Sequence, residues 1–425
     1  MSTLVLKFGG TSVATTKLIE SAAKIVKSEY DKNNNIIVVV SAMSGTTNSL
    51  IDHVNSIDFN DDSEYDLVVS SGEQITAGLM SLALKKLNVP ARSWLGWQIP
   101  IITRGQHRNA FIDKIVPDGI VNDFKEKKVA VVAGFQGISS EGRITTIGRG
   151  GSDNTAVFLA AAVTAERCDI YTDVDGVYTS DPKMTDKVRR LDKISYEEMI
   201  EMASQGAKVL QTSSVESAMN HDVNVNVRST FNPSDEGTQI SNDVSNETRA
   251  VTGVAYSKDE AKITIIDVED KPGVAAEIFK ELASSSVNVD MIVQNNFIER
   301  KMTNITFTVP MTDLKKSLGV LEELKERIVF SKVLDEQNLS KVSIIGSGMR
   351  NQPGIAAKMF ECLSDNNINI EVISTSEIKI SVLIDRNKTE AAVNALHSVF
   401  NLSLIHISEP TRQAEISYAV LCLKK

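Results

Sequence analysis

Residues 36–41 (IIVVVS) and 129–134 (VAVVAG) are apolar at successive positions rather than at alternate ones. A strand of that kind has both faces buried, as in a parallel sheet covered by helices on each side. Residues 4–8 (LVLKF) and 169–172 (DIYT) read the same way, and 224–227 form a weaker candidate. Helical patterns lie between them. One has Leu18, Ile19, Ala22, Ala23, Ile25 and Val26 on one side; another has Ile75, Leu79 and Leu82 beside Met80, Ala83 and Leu87. Ser71-Gly-Glu-Gln74 and Ser195-Tyr-Glu-Glu198 have the spacing of capping boxes. Strand alternating with helix predicts a layered α/β fold with ligands at the carboxyl ends of the strands.

The first such end is LVLKFGGTS, residues 4–12. Gly9 and Gly10 allow backbone N–H groups close to a ligand that a Cβ would block. Successive N–H groups form an anion cradle, and Lys7 adds a point charge at its rim. Two glycines after a strand also make an ordinary turn. The run matches neither GxxxxGK[ST] nor GxGxxG, so a nicotinamide site starts poorly.

Ser41-Ala-Met-Ser-Gly-Thr-Thr47 leaves the second strand as a small hydroxyl-rich loop, suited to a polar substrate or to a plain turn. Glu73 would lie in a first helical turn, where the dipole favours an acid and where a ligand ammonium would find a partner. Gly134-Phe-Gln-Gly137 and TTIGRGGSDNTA (145–156) carry the densest signal. There Arg149 offers a planar fork for a carboxylate, Ser152 is placed to cap a helix, and Asp153 can hold a lysine. Thr172 and Asp173 close a strand before Asp-Gly and Asp-Pro turns, and Gly206-Ala-Lys208 adds a second lysine.

Past residue 231 the pattern changes. Residues 232–249 (NPSDEGTQISNDVSNETR) are polar and read as a linker or exposed loop. Then a repeat begins: PGVAAEIF (272–279) recurs as PGIAAKMF (353–360), and Asn288-Val-Asp290 as Asn369-Ile-Glu371, both offset by 81 residues. Each copy reads strand, Pro-Gly loop, helix, strand, and a helix opened by Pro-Gly can receive a carboxylate. Residues 403–425 do not continue the repeat and resemble translated sequencing-adapter sequence; they are expected not to be native.

Composition excludes several classes. A net charge of −10 gives no overall footprint for nucleic acid or an anionic membrane. Three widely spaced cysteines argue against a disulfide framework and fit a reducing cytoplasm. No signal peptide, no run long enough to span a bilayer, and no His/Cys metal spacing is expected.

KFGGTSVA, SAMSGTTN, SGEQ, GFQG, TTIGRGGSDNTA, YTDVDGVYTSDPK and GAKVL occur in this order. With the repeat they resemble the aspartokinase family over residues 2–402. The resemblance implies a three-layer α/β catalytic domain of the amino-acid-kinase type over residues 1–230, then a linker or the start of the regulatory region over 231–261. Two α+β ferredoxin-like ACT domains would follow, over 262–335 and 336–402. It implies transfer of phosphate from ATP, with Mg²⁺, to L-aspartate, giving 4-phospho-L-aspartate. Lys7, Phe8, Gly9, Gly10, Thr172, Asp173, Tyr178, Lys183, Lys208 and Val209 would hold ATP. Ser41, Thr47, Glu73, Arg149, Gly150, Gly151 and Ser152 would hold aspartate. Lys7, Asp153 and Lys208 would be catalytic, with Asp153 orienting both lysines. Lysine, threonine or both would inhibit from sites at Asp270, Val274, Asn288 and Asp290 and at Met349, Ile355, Asn369 and Ile370. A homodimer or larger assembly would form through the ACT domains. The chain departs from the family pattern at Lys183, where Arg is common, and at Gln211-Thr212-Ser213, where His-Pro-Arg is common. Another amino-acid kinase of this fold and a non-catalytic amino-acid sensor are the rival readings.

Overall fold

The structure, a computed structural model, describes residues 1–206, 209–242, 249–297 and 302–403. Lys208 and the tail from 404 onward, both singled out above, lie outside the described residues.

The successive-apolar runs form the middle of an eight-stranded sheet. Its order is Lys193–Ile194, Thr238–Ile240, Val225–Ser229, Arg167–Thr172, Thr3–Phe8, Asn35–Val40, Val129–Ala133, Ala91–Trp94. Thr238–Ile240 runs antiparallel to Val225–Ser229; the other neighbours are parallel. Side chains alternate between two cores, as a two-residue period requires. Leu4, Leu6, Phe8, Val38 and Val40 pack with the helices Thr16–Tyr30 and Ser71–Lys86. Val5, Ile37, Val39 and Val132 pack with Ala156, Val157, Leu159 and Ala160 of the helix Gly151–Ala162. This makes three layers. A smaller sheet, Phe111–Ile115, Ile101–Arg104, Gln136–Ile138, Ile144–Thr146, sits beside them.

Four strand ends come level. Gly9 N–H donates to the Tyr171 carbonyl (3.1 Å), Ser41 N–H to Phe8 (3.1 Å) and Gly134 N–H to Val40 (3.0 Å). The loops starting at Gly9, Ser41, Gly134 and Thr172 therefore open side by side.

Several local readings are corrected. Ser71 begins no capping box: Asp61 caps the helix Asp62–Val69 by accepting from Ser63 and Glu64 N–H, and helix continues through Ser70 into Ser71–Lys86. The Ser71 hydroxyl instead bonds Val68 one turn back. That 25-residue run, whose most apolar 18-residue window has a mean hydropathy of 1.3, is long and apolar enough to cross a membrane, which the sequence reading did not anticipate; half of that window is buried inside the protein. Its buried face carries Ala77, Met80, Ala83 and Leu84, while Ile75 and Leu82, read as part of the apolar stripe, are exposed. The Ser195–Glu198 box forms as read. The helix Gly151–Ala162 is capped by Gly150 in the left-handed region (φ 75°), which places Ser152 inside its first turn rather than at the cap.

Part of the stretch read as linker is structured. Thr238–Ile240 belongs to the catalytic sheet, and a 17-residue strand, Gly253–Glu269, begins the regulatory region. That strand and Lys332–Ile345 form the centre of a six-stranded antiparallel sheet whose order is Ile292–Phe297, Met302–Pro310, Gly253–Glu269, Lys332–Ile345, Lys379–Asp385, Val372–Thr375. Gly253 to Ser257 pair with Lys341 to Ile345, whereas Lys262 to Ile266 pair with Lys332 to Glu336. The second unit thus takes a strand that precedes the first unit, so the first is inserted into the second. Each half has its own core, the first around Ile263, Ile278 and Phe307, the second around Val342, Met359 and Leu396. Gly273 (φ 101°) and Gly354 (φ 92°) cap equivalent helices in the left-handed conformation.

Candidate active site

A cleft of about 340 Å³ opens where the strand ends meet. Of the predicted residues, Lys7, Gly10, Ser41, Thr47, Glu73, Gly150, Gly151, Ser152 and Asp153 line it. Ser41 comes from the loop after Asn35–Val40, Thr47 from the first turn of the helix Thr46–Asn55 that follows it, and the last four from the turn that opens Gly151–Ala162.

Lys7 is the last but one residue of its strand and is 8% exposed. Its Nζ lies 2.5 Å from Asp153 Oδ1, and that ion pair fixes the ammonium toward the cleft. Gly9 and Gly10 follow without positive φ; their value is close approach, since a Cβ on Gly10 would meet the Ala42 carbonyl at 3.1 Å. Phe8 does not offer its side chain to a ligand: the ring is fully buried and stacks on Tyr171 at 4.9 Å. Only its backbone borders the site.

Glu73 is 3% exposed. Its Oε1 accepts from Ala42 N–H (3.0 Å), and its Oε2, also buried, meets no hydrogen-bond partner among the described residues. Burial pushes the carboxyl up from its ordinary 4.5 to about 7, against the lowering effect of the Ala42 bond. Across the cleft stands the N-terminus of Gly151–Ala162, whose unpaired N–H groups and dipole favour an anion. A buried carboxylate wanting a cation therefore faces a helix end wanting an anion.

Six further residues line the cleft that were not nominated: Ala42, Met43, Ser44, Gly45, Asn48 and Phe135. The first four lie in the hydroxyl-rich loop, and Asn48 ends the SAMSGTTN run, so the motif carried the signal. Phe135 was hidden. It adopts φ 65°, an unfavourable left-handed geometry for a bulky residue, and its N–H donates to Thr155 (3.2 Å).

The remaining predicted residues sit outside this cleft. Arg149 is exposed beside Gly150. Thr172, Asp173, Tyr178 and Lys183 follow the strand Arg167–Thr172; the Thr172 hydroxyl donates to Asp173 (3.1 Å) and Tyr178 to Asp175 (2.8 Å). Val209 packs against the catalytic core. Among the described residues no group of three or more His, Cys, Asp or Glu is arranged to hold a metal ion.

In the regulatory sheet, Asp270, Asn288, Asp290 and Asn369 are exposed, and Met349, Ile355 and Ile370 are half-buried against the second core. Val274 is 6% exposed in the first core, so its side chain supports the helix rather than facing a ligand. The acids of the repeat meet across the two units. Asp290 of the first pairs with Lys341 of the second, and Glu371 of the second lies 3.2 Å from Lys262 of the first.

A model of the Amino acid kinase family matches residues 2–229, and models of the ACT domain match 262–329 and 342–400. The chain is 48% identical over 405 residues to the aspartate kinase Ask_LysC of Stutzerimonas stutzeri, covering 95% of this chain and 98% of that one. It is 47% identical to the aspartokinase of Pseudomonas aeruginosa, covering 98% and 100%. Escherichia coli aspartokinase III with aspartate and ADP superposes with a TM-score of 0.78 at 27% identity, over 93% of this chain and 99% of that one. The same enzyme with lysine and aspartate gives 0.75 at 28%, over 94% and 99%.

Proposed function

Since the chain belongs to the amino acid kinase family, and within it to the aspartokinases, we infer that it transfers the γ-phosphoryl group of ATP to the side-chain carboxylate of L-aspartate. The observation that carries this is Glu73 opposite a helix N-terminus in one cleft. That pair fits the ammonium and a carboxylate of an amino acid. Thr47, Ser152 and the Gly150–Gly151 backbone would hold the rest of it, and Arg149 would swing in from the rim.

The acceptor carboxylate is already ionised at neutral pH, so no general base is required. The chemistry reduces to alignment and charge neutralisation. Lys7, held by Asp153, would neutralise charge on the transferring group, and the amides of Gly9 and Gly10 would cradle the phosphates. Lys208 is proposed as a second cation. Thr172, Asp173, Tyr178, Lys183 and Val209 would line the nucleoside side. Mg²⁺ would be carried on the phosphates, with Asp173 a candidate acid to receive it, and would offset phosphate charge. The product is an acyl phosphate.

The two ACT units make feedback inhibition by lysine or threonine the regulatory reading, at the helix entries and following turns where Asp270, Asn288, Met349, Ile355, Asn369 and Ile370 stand, within a homodimer or larger assembly. A cytoplasmic location accords with three widely spaced cysteines. ADP release on adding aspartate, with hydroxylamine trapping of the acyl phosphate, tests the activity. ATP turnover without an aspartyl hydroxamate, or preference for glutamate in a substrate panel, would refute it. Insensitivity to both amino acids at millimolar levels would refute the regulation.

A further inference from the structure

The segment after Thr172 is held from outside the catalytic domain. It folds back on itself, with Tyr178 bridged to Arg190 and Thr179 N–H donating to the Arg189 carbonyl (2.9 Å). Its outer side is fastened to the second regulatory unit at four points. Val254 N–H donates to the Thr179 carbonyl (2.8 Å), the Tyr256 hydroxyl to Asp181 (2.9 Å), and the Asn394 amide to the Met184 carbonyl (3.1 Å). The fourth is between side chains: Thr179 Oγ1 lies 2.9 Å from Nε2 of His397, on the helix Thr389–Val399. Met184 itself is part of the regulatory core.

His397 and Thr179 are both fully buried, and His397 Nδ1 finds no hydrogen-bond partner among the described residues. Thr179 Oγ1 also accepts from Arg189 N–H (3.0 Å), and its remaining lone pair and its proton leave it able to bond Nε2 in either imidazole tautomer. The imidazole is neutral. Burial and the nearby Lys187 both hold it in that state. A buried histidine with one nitrogen idle is retained for the bond the other makes.

We propose that His397 is a positioning residue for the nucleotide: acting through Thr179, it lets the second regulatory unit hold Tyr178 and Lys183 where ATP binds. Thr179 lies next to Tyr178, and Asp181 accepts from the Lys183 N–H (2.8 Å), so both fastened residues adjoin the two contacts. The inference rests on assigning Tyr178 and Lys183 to the nucleotide. Aspartate is gripped on other loops, so the effect is confined to one substrate.

The test is steady-state kinetics on the full chain, with thermal denaturation to confirm folding. His397→Leu should raise the ATP KM about five- to tenfold, as expected for one lost buried hydrogen bond. The aspartate KM and kcat should stay within about twofold. His397→Gln, which returns a polar atom near the Nε2 position, should restore the ATP KM to within about twofold. An unchanged ATP KM in His397→Leu, or equal rises in both KM values, would overturn the proposal. If His397→Leu does not fold, Tyr256→Phe decides the matter, since it deletes only the hydroxyl that holds Asp181. There a selective rise in ATP KM supports the proposal and none overturns it. Lys183→Ala separates the two layers. If it leaves the ATP KM unchanged, the nucleotide assignment fails and takes the proposal with it; if it raises ATP KM while His397→Leu does not, only the relay fails.

Discussion

The catalytic cleft and the junction of the two regulatory units both bury charge, and they satisfy it in opposite ways. In the cleft, Glu73 keeps one carboxylate oxygen without a hydrogen-bond partner among the described residues. At the junction, Lys341 is 5% exposed and meets both Asp290 and Glu260, the latter at 3.3 Å. Lys262 meets Glu336 at 2.8 Å and Glu371 at 3.2 Å. An unpaired buried charge is costly, so a chain keeps one only where a ligand will supply the missing partner. A saturated cluster fixes how two units sit. The cleft is set up for binding and the junction for register.

The largest expected effect tests the cleft. Lys7→Ala should lower kcat by about 10²–10³-fold with a modest change in aspartate KM, the scale of removing one preorganised charge-stabilising group. A near-normal kcat would remove Lys7 from the chemistry. Next is Glu73→Gln, expected to raise aspartate KM by roughly 10²-fold, as for a lost charge-assisted bond. It should also reveal the strain of an unfilled site. The folded carboxyl titrates near 7 against an ordinary 4.5. Its protonated form therefore stabilises the unliganded fold fully below the lower value, and that contribution is lost as pH rises through 7. Unliganded protein should be less stable at pH 8 than at pH 5.5 by this group, and Glu73→Gln should recover about 1–2 kcal/mol at pH 8. Wild-type aspartate KM should fall as pH rises through 7, because the ammonium needs the ionised acid. Urea denaturation at both pH values and a KM–pH profile check this; a flat profile means Glu73 does not meet the substrate. Smaller again is Arg149→Ala, whose exposed guanidinium should cost about tenfold in aspartate KM, the low end for a charged hydrogen bond. An unchanged KM would refute the clamp.

The two regions also differ in how far the sequence disclosed them. The cleft was legible because its residues lie on contiguous glycine- and hydroxyl-rich runs at strand ends, and buried parallel strands announce themselves by unbroken apolar stretches. The GFQG run marked the place of Phe135 but not its part in the cleft, because left-handed backbone at an aromatic leaves no compositional mark. Ser71 misled because S-x-x-Q looks the same whether a helix begins there or arrives from Asp61. The repeat disclosed two similar units but not their interlacing. An offset of 81 residues says nothing about Gly253 pairing with Ile345, a contact 92 residues apart in sequence. The ionic junction was hidden for the same reason: Lys341 and Asp290 are neighbours only after the units interlock.

The finest distinction lies within that junction, between its two pseudo-equivalent lysines. Lys341 and its partner Glu260 have side chains only 6% and 8% exposed, whereas Lys262, at 11%, faces Glu336 and Glu371 at 51% and 33%. Burial pushes the Glu260 carboxyl up despite the counteracting Lys341 charge, so removing Lys341 would strand an acid already short of solvation. Lys341→Met should therefore destabilise by about 1–3 kcal/mol, below the full penalty of a broken buried pair because Glu260 can take up a proton. Lys262→Met should cost less than about 1 kcal/mol, since water can solvate its orphaned acids. Chemical denaturation followed through the regulatory sheet reads both. Glu260→Gln in the Lys341→Met background should recover part of the loss, and equal costs for the two lysines would mean that exposure does not rank these pairs.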